Sequence, residues 1–262
     1  MKSKKPKKPK FSLCCSEGRI QPPILKDPPP FLERLLNLNN DQRSMKFRLG
    51  IRIYNSLFAF TSLGGSVDNS VNNGSAPYVF RLNGQNHHRI GSLIPVDGQR
   101  PKFAQLYIYD AKNEVTNRIG SIIGDNSRNT MDQDIVSGLL EMLDQCNSLV
   151  KYFRMARDRF NESEIHDVRI RLIGNRNSDG RQYNFPTTSE VAAIIVGDFN
   201  IESCNRDIIV ENRSLGLQRI NGSHPSFMAL QYPLLFPYVE DGYMFGIPYR
   251  NFVGGNLGKG NQ

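Results

Sequence analysis

Apolar residues recur at three- and four-residue intervals between Ile135 and Phe160: Ile135, Leu139, Met142, Leu143, Cys146, Leu149, Val150, Phe153, Ala156 and Phe160. That spacing gathers them on one face of a helix. It predicts one long helix, capped by Asp132 or Asp134 and ending near Phe160. Upstream, Phe31, Leu32, Leu35 and Leu36 follow a run of prolines, which the first turn of a helix tolerates. A short helix is expected there, then a polar break from Asn37 to Arg43. A second helix is expected from Ser44, with Phe47, Ile51, Tyr54 and Phe58 on one side. After Phe58 the period changes. Gly64-Gly65 to Gly74-Ser75 reads as a loop. Tyr78–Leu82 and His88–Ile94 read as two strands around a turn at Gly84. Phe103–Asp110 alternates as a strand, with Phe103, Gln105, Tyr107 and Tyr109 on one face and Ala104, Leu106 and Ile108 on the other. Further strands are expected at Val168–Ile173, Val191–Val196 and Asp207–Val210, the last paired with Leu217–Ile220 across Ser-Leu-Gly. The pattern predicts an α+β fold: a mostly antiparallel sheet, one long covering helix and short N-terminal helices.

The segment from His224 to Pro237 interleaves Phe227, Leu230, Tyr232, Leu234, Leu235 and Phe236 with Pro225, Pro233 and Pro237. The prolines exclude a long helix, and the apolar side chains exclude a solvated loop. The segment must pack on a preformed body. No internal repeat is present. The expected organisation is a basic arm and proline-rich entry over residues 1–30, one domain over 31–250, and a glycine-rich tail over 251–262.

Charge changes this picture only at one end. The chain carries a net charge of +8. Without Lys2, Lys4, Lys5, Lys7, Lys8 and Lys10, the 33 basic residues fall to 27 against 25 acids, a net of +2. The arm is therefore the main cationic feature, fit for nuclear import or sequence-independent phosphate contact, or simply a solubilising tail. No apolar run reaches the length of a bilayer span, so no membrane partner is expected. Cys14, Cys15, Cys146 and Cys204 form no disulfide framework, which fits a reducing compartment.

Candidate chemistry is sparse. Lys151, Arg154, Arg157 and Arg159 crowd the end of the long helix; they suit the helix dipole and offer a nucleic-acid-binding face alongside the arm. Arg89, Arg169 and Arg171 would extend that surface. Tyr107 or Tyr109, if exposed, would stack on single-stranded bases; otherwise they belong to the core. Asp110 and Asp198 end predicted strands, with His166 and Asp207 nearby, as in metal-dependent nucleases, but strand-end Asp is also a common turn former. His87 and His88 should point to opposite faces of a strand, against joint metal binding. His224 reads as a structural contact and Cys146 as a small buried hydrophobe. No cofactor is expected.

Several strings resemble one family. HPSFMALQYPLLFPYVEDGY at His224–Tyr243, CCSEGRIQPPILKDPPPFLERLL at Cys14–Leu36, FRLGIRIYNSLFAFTSLGGSVD at Phe47–Asp68 and RLNGQNHHRIGSLIPVDGQRPKFAQLYIYD at Arg81–Asp110 are similar to the N-terminal region of plant Helitron transposon proteins, the Helitron helicase-like family. The resemblance runs from about residue 11 to residue 250. It implies rolling-circle DNA transposition, DNA (single-stranded DNA included) as partner, and a nuclear location. It also implies partnership with a replication-initiator nuclease domain and a helicase domain. Neither machine is legible in this chain. None of the four histidines forms a pair separated by one residue, as the nuclease metal site requires. Gly254–Gly260 imitates a phosphate loop but lacks the hydroxyl residue after Lys259. Family members place a Cys-x-x-Cys before a Cys-Cys pair, so Cys14 and Cys15 read as the remnant of a zinc site that wants four ligands.

The expectation is thus a truncated N-terminal module without catalytic residues that binds DNA or docks the nuclease and helicase. The alternatives are a protein-interaction or remnant domain without DNA binding, and an autonomous metal nuclease using Asp110 and Asp198.

Overall fold

The computed structural model describes residues 19–20, 25–38, 41–68, 70, 81–109, 111–123, 131–162, 168–173, 192–196, 208–210, 218–243 and 247. The order is α1 (Pro30–Leu36), α2 (Gln42–Phe58), β1 (Ser62–Val67), β2 (Leu82–Ile90), 3-10 turns at Phe103–Tyr107 and Ala111–Asn113, α3 (Glu114–Ile123), α4 (Gln133–Cys146), α5 (Ser148–Glu162), β3 (Val168–Leu172), β4 (Ala192–Val196), β5 (Ile208–Val210), β6 (Gln218–Ile220) and α6 (Phe227–Gln231). The class is α+β, and every described strand pairing is antiparallel.

The two N-terminal helices form as their sequences dictate. Pro30 occupies the first position of α1 after Pro29, and Leu32 and Leu35 are buried. Asp41 caps α2 by accepting from the Ser44 amide, which satisfies one of the orphan N–H donors at a helix start. Arg43 ties the start of α2 to Asp134 at the start of α4, at 2.7 Å. Phe31 lies where a Cβ on Gly138 of α4 would fall, 2.2 Å from its ring Cζ. The missing side chain there is what lets α1 seat on α4.

The long helix is not continuous. Asn147 is extended at φ −91 and ψ 116, dividing it into α4 and α5. Its amide closes α4 on the Leu143 carbonyl at 2.8 Å, while its side-chain oxygen accepts from the Val150 amide at 3.0 Å and opens α5. One residue therefore caps both helices. The apolar period hid the break because Leu139, Leu143, Leu149, Val150 and Phe153 are all buried on either side of it. It is α5 that packs against β3 and β4.

Four further expectations are corrected. Phe103–Tyr107 is a 3-10 turn, not a strand. Phe103 sits at φ 54, turning the chain away from extended geometry, and the Gln105 side chain closes the turn on the Lys102 amide at 3.0 Å. Leu106, Tyr107 and Ile108 are buried in succession, which breaks the alternation of a strand. Gly64-Gly65 belongs to β1, paired with β2. Gly84 is no turn; β2 runs through it, and the β1–β2 register shifts between Gly64 and Ser66. The expected β5–β6 hairpin is also absent. β5 pairs with β3 and β6 with β2, giving sheet orders β1-β2-β6 and β4-β3-β5. Residues 211–217 separate those strands, more than the about two to five residues of tight hairpins.

One core joins these layers, running from Leu32 to Val239. At its centre Phe60 stacks on Tyr107 with ring centroids 4.5 Å apart and tilts against Phe153 at 5.2 Å. The aromatic-proline segment packs on this body as expected. Its Leu230 carbonyl accepts from the Phe60 amide at 2.8 Å, and Asn55 brackets it by bonding the Gln231 carbonyl and the Leu234 amide.

Candidate functional site

The most concentrated chemistry in the described fold lies where α3, α4 and α5 meet the 3-10 turn. α3 was not among the expected helices, although Glu114 and Arg118 stand four apart and Val115, Ile119 and Ile122 recur at helical spacing. Arg118 is fully buried. Its Nε and Nη2 donate to Glu114 Oε1 at 2.9 and 2.6 Å, and its Nη1 donates to the Leu57 carbonyl at 2.6 Å. The guanidinium lies 4.1 Å from the Tyr107 ring centroid and 4.9 Å from that of Phe58. The other Glu114 oxygen meets Arg154 Nη1 at 2.7 Å. Arg154 in turn donates to Asp144 at 2.9 Å and to the Tyr107 carbonyl at 2.9 Å.

Two cations and two carboxylates thus alternate in a linear chain, Arg118–Glu114–Arg154–Asp144. Burial of ions this deep is tolerated only when charge and hydrogen bonds are both satisfied. Burial opposes the charge on Arg154, yet the hydrogen bonds and charges of Asp144 and Glu114 outweigh it and hold its pKa above the ordinary value. Burial pushes the Tyr107 phenol up to about 12, and its hydroxyl donates to the Phe58 carbonyl at 2.7 Å. An open groove of about 600 Å³ lies over this network, lined by Glu114, Leu140, Asp144, Lys151, Arg154, Met155, Arg157 and Asp158. Its wall carries three acids and three bases, so it has no net preference for an anion or a cation.

This geometry separates the four cations expected to face DNA. Arg154 is built into the fold. Arg157 lies against Asp158 at 2.8 Å. Lys151 and Arg159 are exposed. Arg157 and Arg159, two residues apart on a helix, face nearly opposite directions, so the four make no continuous stripe. Tyr107 is core and offers no stacking face, whereas Tyr109 is exposed. Arg89 donates to His87 at 2.7 Å, and Arg169 and Arg171 are half-buried on β3. Lys2, Lys4, Lys5, Lys7, Lys8, Lys10, Cys14, Cys15, Asp110, His166, Asp198 and Asp207 lie outside the described residues.

His87 and His88 occupy opposite faces of β2, as the strand period requires. The His87 ring lies over Gly64, where a Cβ would come within 2.3 Å of Nε2. His88 is buried and stacks on Phe227 at 4.2 Å. Burial lowers its pKa, reinforced by the charge of His87 and opposed by a bond to the Phe227 backbone. His224 accepts from the Ser226 amide at 3.1 Å, a structural contact. Burial raises the Cys146 thiol to about 11, in keeping with an inert hydrophobe. Among the described residues, no group of three His, Cys, Asp or Glu is placed to hold a metal ion, and no helix is long and apolar enough to cross a membrane. No protein-family model matches the chain, and no curated protein does.

Proposed function

We propose that this chain is a non-catalytic module of a Helitron-type rolling-circle transposon protein. In this reading the folded body is a docking scaffold for nuclease and helicase domains, and the lysine arm supplies the DNA contact in the nucleus. The observation that favours docking over DNA recognition by the body is the commitment of Arg154. The cation at the centre of the expected DNA face instead bridges Glu114 and Asp144 inside the fold. A balanced groove wall gains little from phosphate, because sequence-independent DNA binding needs an excess of cations that release counterions.

Fluorescence anisotropy with labelled single- and double-stranded DNA tests this reading. Lys151→Glu combined with Arg159→Glu should leave affinity within about two-fold of the parent chain, a change below 0.5 kcal/mol by the usual conversion. A loss of ten-fold or more would place DNA on α5 and remove the docking assignment. The exposed Lys151 and Arg159 keep that second reading worth the experiment.

A further inference from the structure

The face of α2 turned away from the core carries an apolar row. Met45, Leu49 and Ile53 stand four residues apart and are 49%, 82% and 43% exposed. The opposite face holds the buried Phe47, Tyr54, Leu57 and Phe58. Leu38 is exposed too, one residue beyond the Asn37 carbonyl that Arg48 holds. The row is flanked by Lys46, Arg48 and Arg52, and α2 contains no acidic residue. Among the described residues these three cations make no ion pair, while Arg43 is spent on Asp132 and Asp134.

We infer that this face docks an acidic amphipathic helix of a partner protein. A row at four-residue spacing is a ridge of the kind that fits between the side chains of a second helix, and helix-on-helix recognition reads such anchors. Carboxylates beside the partner's apolar seam would meet Lys46 on one side and Arg48 and Arg52 on the other. The chemistry disfavours other occupants. A second copy of α2 would set cations against cations. Nucleic acid would find aliphatic side chains, with no aromatic to stack on, at the crest. A lipid surface would find no Trp or Phe among the apolar side chains of this row. The inference deepens the docking reading and rests on it.

The test uses the full chain with the six arm lysines replaced by Gln, so that the arm cannot attract the probe. The probe is a labelled synthetic helical peptide with leucines at i, i+3, i+4 and i+7 and glutamates elsewhere; a lysine counterpart and anionic vesicles run in parallel. Leu49→Glu should weaken peptide binding about ten-fold or more, from loss of a buried leucine and addition of a like charge. Arg52→Glu should weaken it too, both with unchanged Tm. Binding indifferent to Leu49→Glu would overturn the inference while leaving docking elsewhere on the body intact. Equal binding of the lysine peptide, no peptide binding at all, or vesicle binding that Leu49→Glu abolishes would each overturn it. DNA affinity unaffected by neutralising the arm would instead refute the proposed division of labour, without touching this surface.

Discussion

Replacing Glu114 by Gln keeps the shape of the side chain and removes the charge that two guanidiniums share. Glu114 is 3% exposed, Arg118 is fully buried, and the Arg154 side chain is 14% exposed, so water screens little of the loss. Of three contacts of 2.6 to 2.9 Å, those to the amide oxygen lose the carboxylate charge and those facing the amide NH2 break outright, since a Gln amide cannot accept from both arginines through both of its ends. Summing them would overcount; the relevant comparison is a buried ion pair broken on one side, which costs about 3–5 kcal/mol. Glu114→Gln should therefore lower unfolding stability by about 3–5 kcal/mol, roughly a 10 °C fall in Tm for a chain of this size. Urea denaturation at constant m-value reads it. The double variant Glu114→Leu/Arg118→Met removes both charges and fills the site with apolar atoms. It should recover part of the loss, because Arg154 keeps Asp144 and the Tyr107 carbonyl. A change below about 1 kcal/mol for Glu114→Gln would mean that the network is solvated, as exposed pairs are, and would refute the claim that Arg154 is committed to the fold.

Asn147→Ala should lower stability by about 1 kcal/mol, the usual worth of a helix N-cap, read by the denaturation midpoint. Gly138→Ala should destabilise the parent chain, because the new methyl meets the Phe31 ring. In a Phe31→Ala background the same change should stabilise by about 0.5–1 kcal/mol through helix propensity, so the sign of the effect is the test. His88 has its folded pKa depressed below 6.5 by burial. Its neutral form therefore favours the fold above the unfolded pKa, and stability should fall as pH drops from about 6.5 through the folded value. His88→Phe should flatten that part of the pH profile.

The helices that rest on local signals were legible. Pro30 marks the start of α1, and Phe47, Tyr54 and Phe58 of α2 are buried at the expected spacing; α2 starts two residues ahead of the expected Ser44, because Asp41 in the polar break caps it, and Ile51, expected on the same side, is exposed. What the sequence concealed was set by tertiary partners. Asn147 interrupts an unbroken apolar stripe, and its role shows only once its side chain is seen capping α5; the Asn147-Ser148 pair was the available signal. Phe103–Tyr109 alternates as cleanly as a strand, but Gln105 and Tyr107 find better partners in a tight turn, at Lys102 and Phe58. β5 and β6 are near in sequence and belong to different sheets, a choice made by where Val210 and Ile220 bury. The charged network was half visible: Arg154 was singled out, while Glu114 and Arg118 lay on an unrecognised helix. A cation destined for DNA and one destined for the core look alike until their partners are in place.

The arm is the remaining determinant, and its salt dependence bears most directly on the proposed function. Affinity for single-stranded DNA should be measured across salt concentrations for the full chain and for the chain with Lys2, Lys4, Lys5, Lys7, Lys8 and Lys10 replaced by Gln. Six phosphate contacts give a slope of log affinity on log salt of at most about −4 on a single strand. A slope up to that size is expected for the parent chain, with its collapse toward zero, and loss of affinity, when the arm is neutralised. A slope and affinity that survive neutralisation would place DNA on the folded body and contradict the assignment of that body to docking.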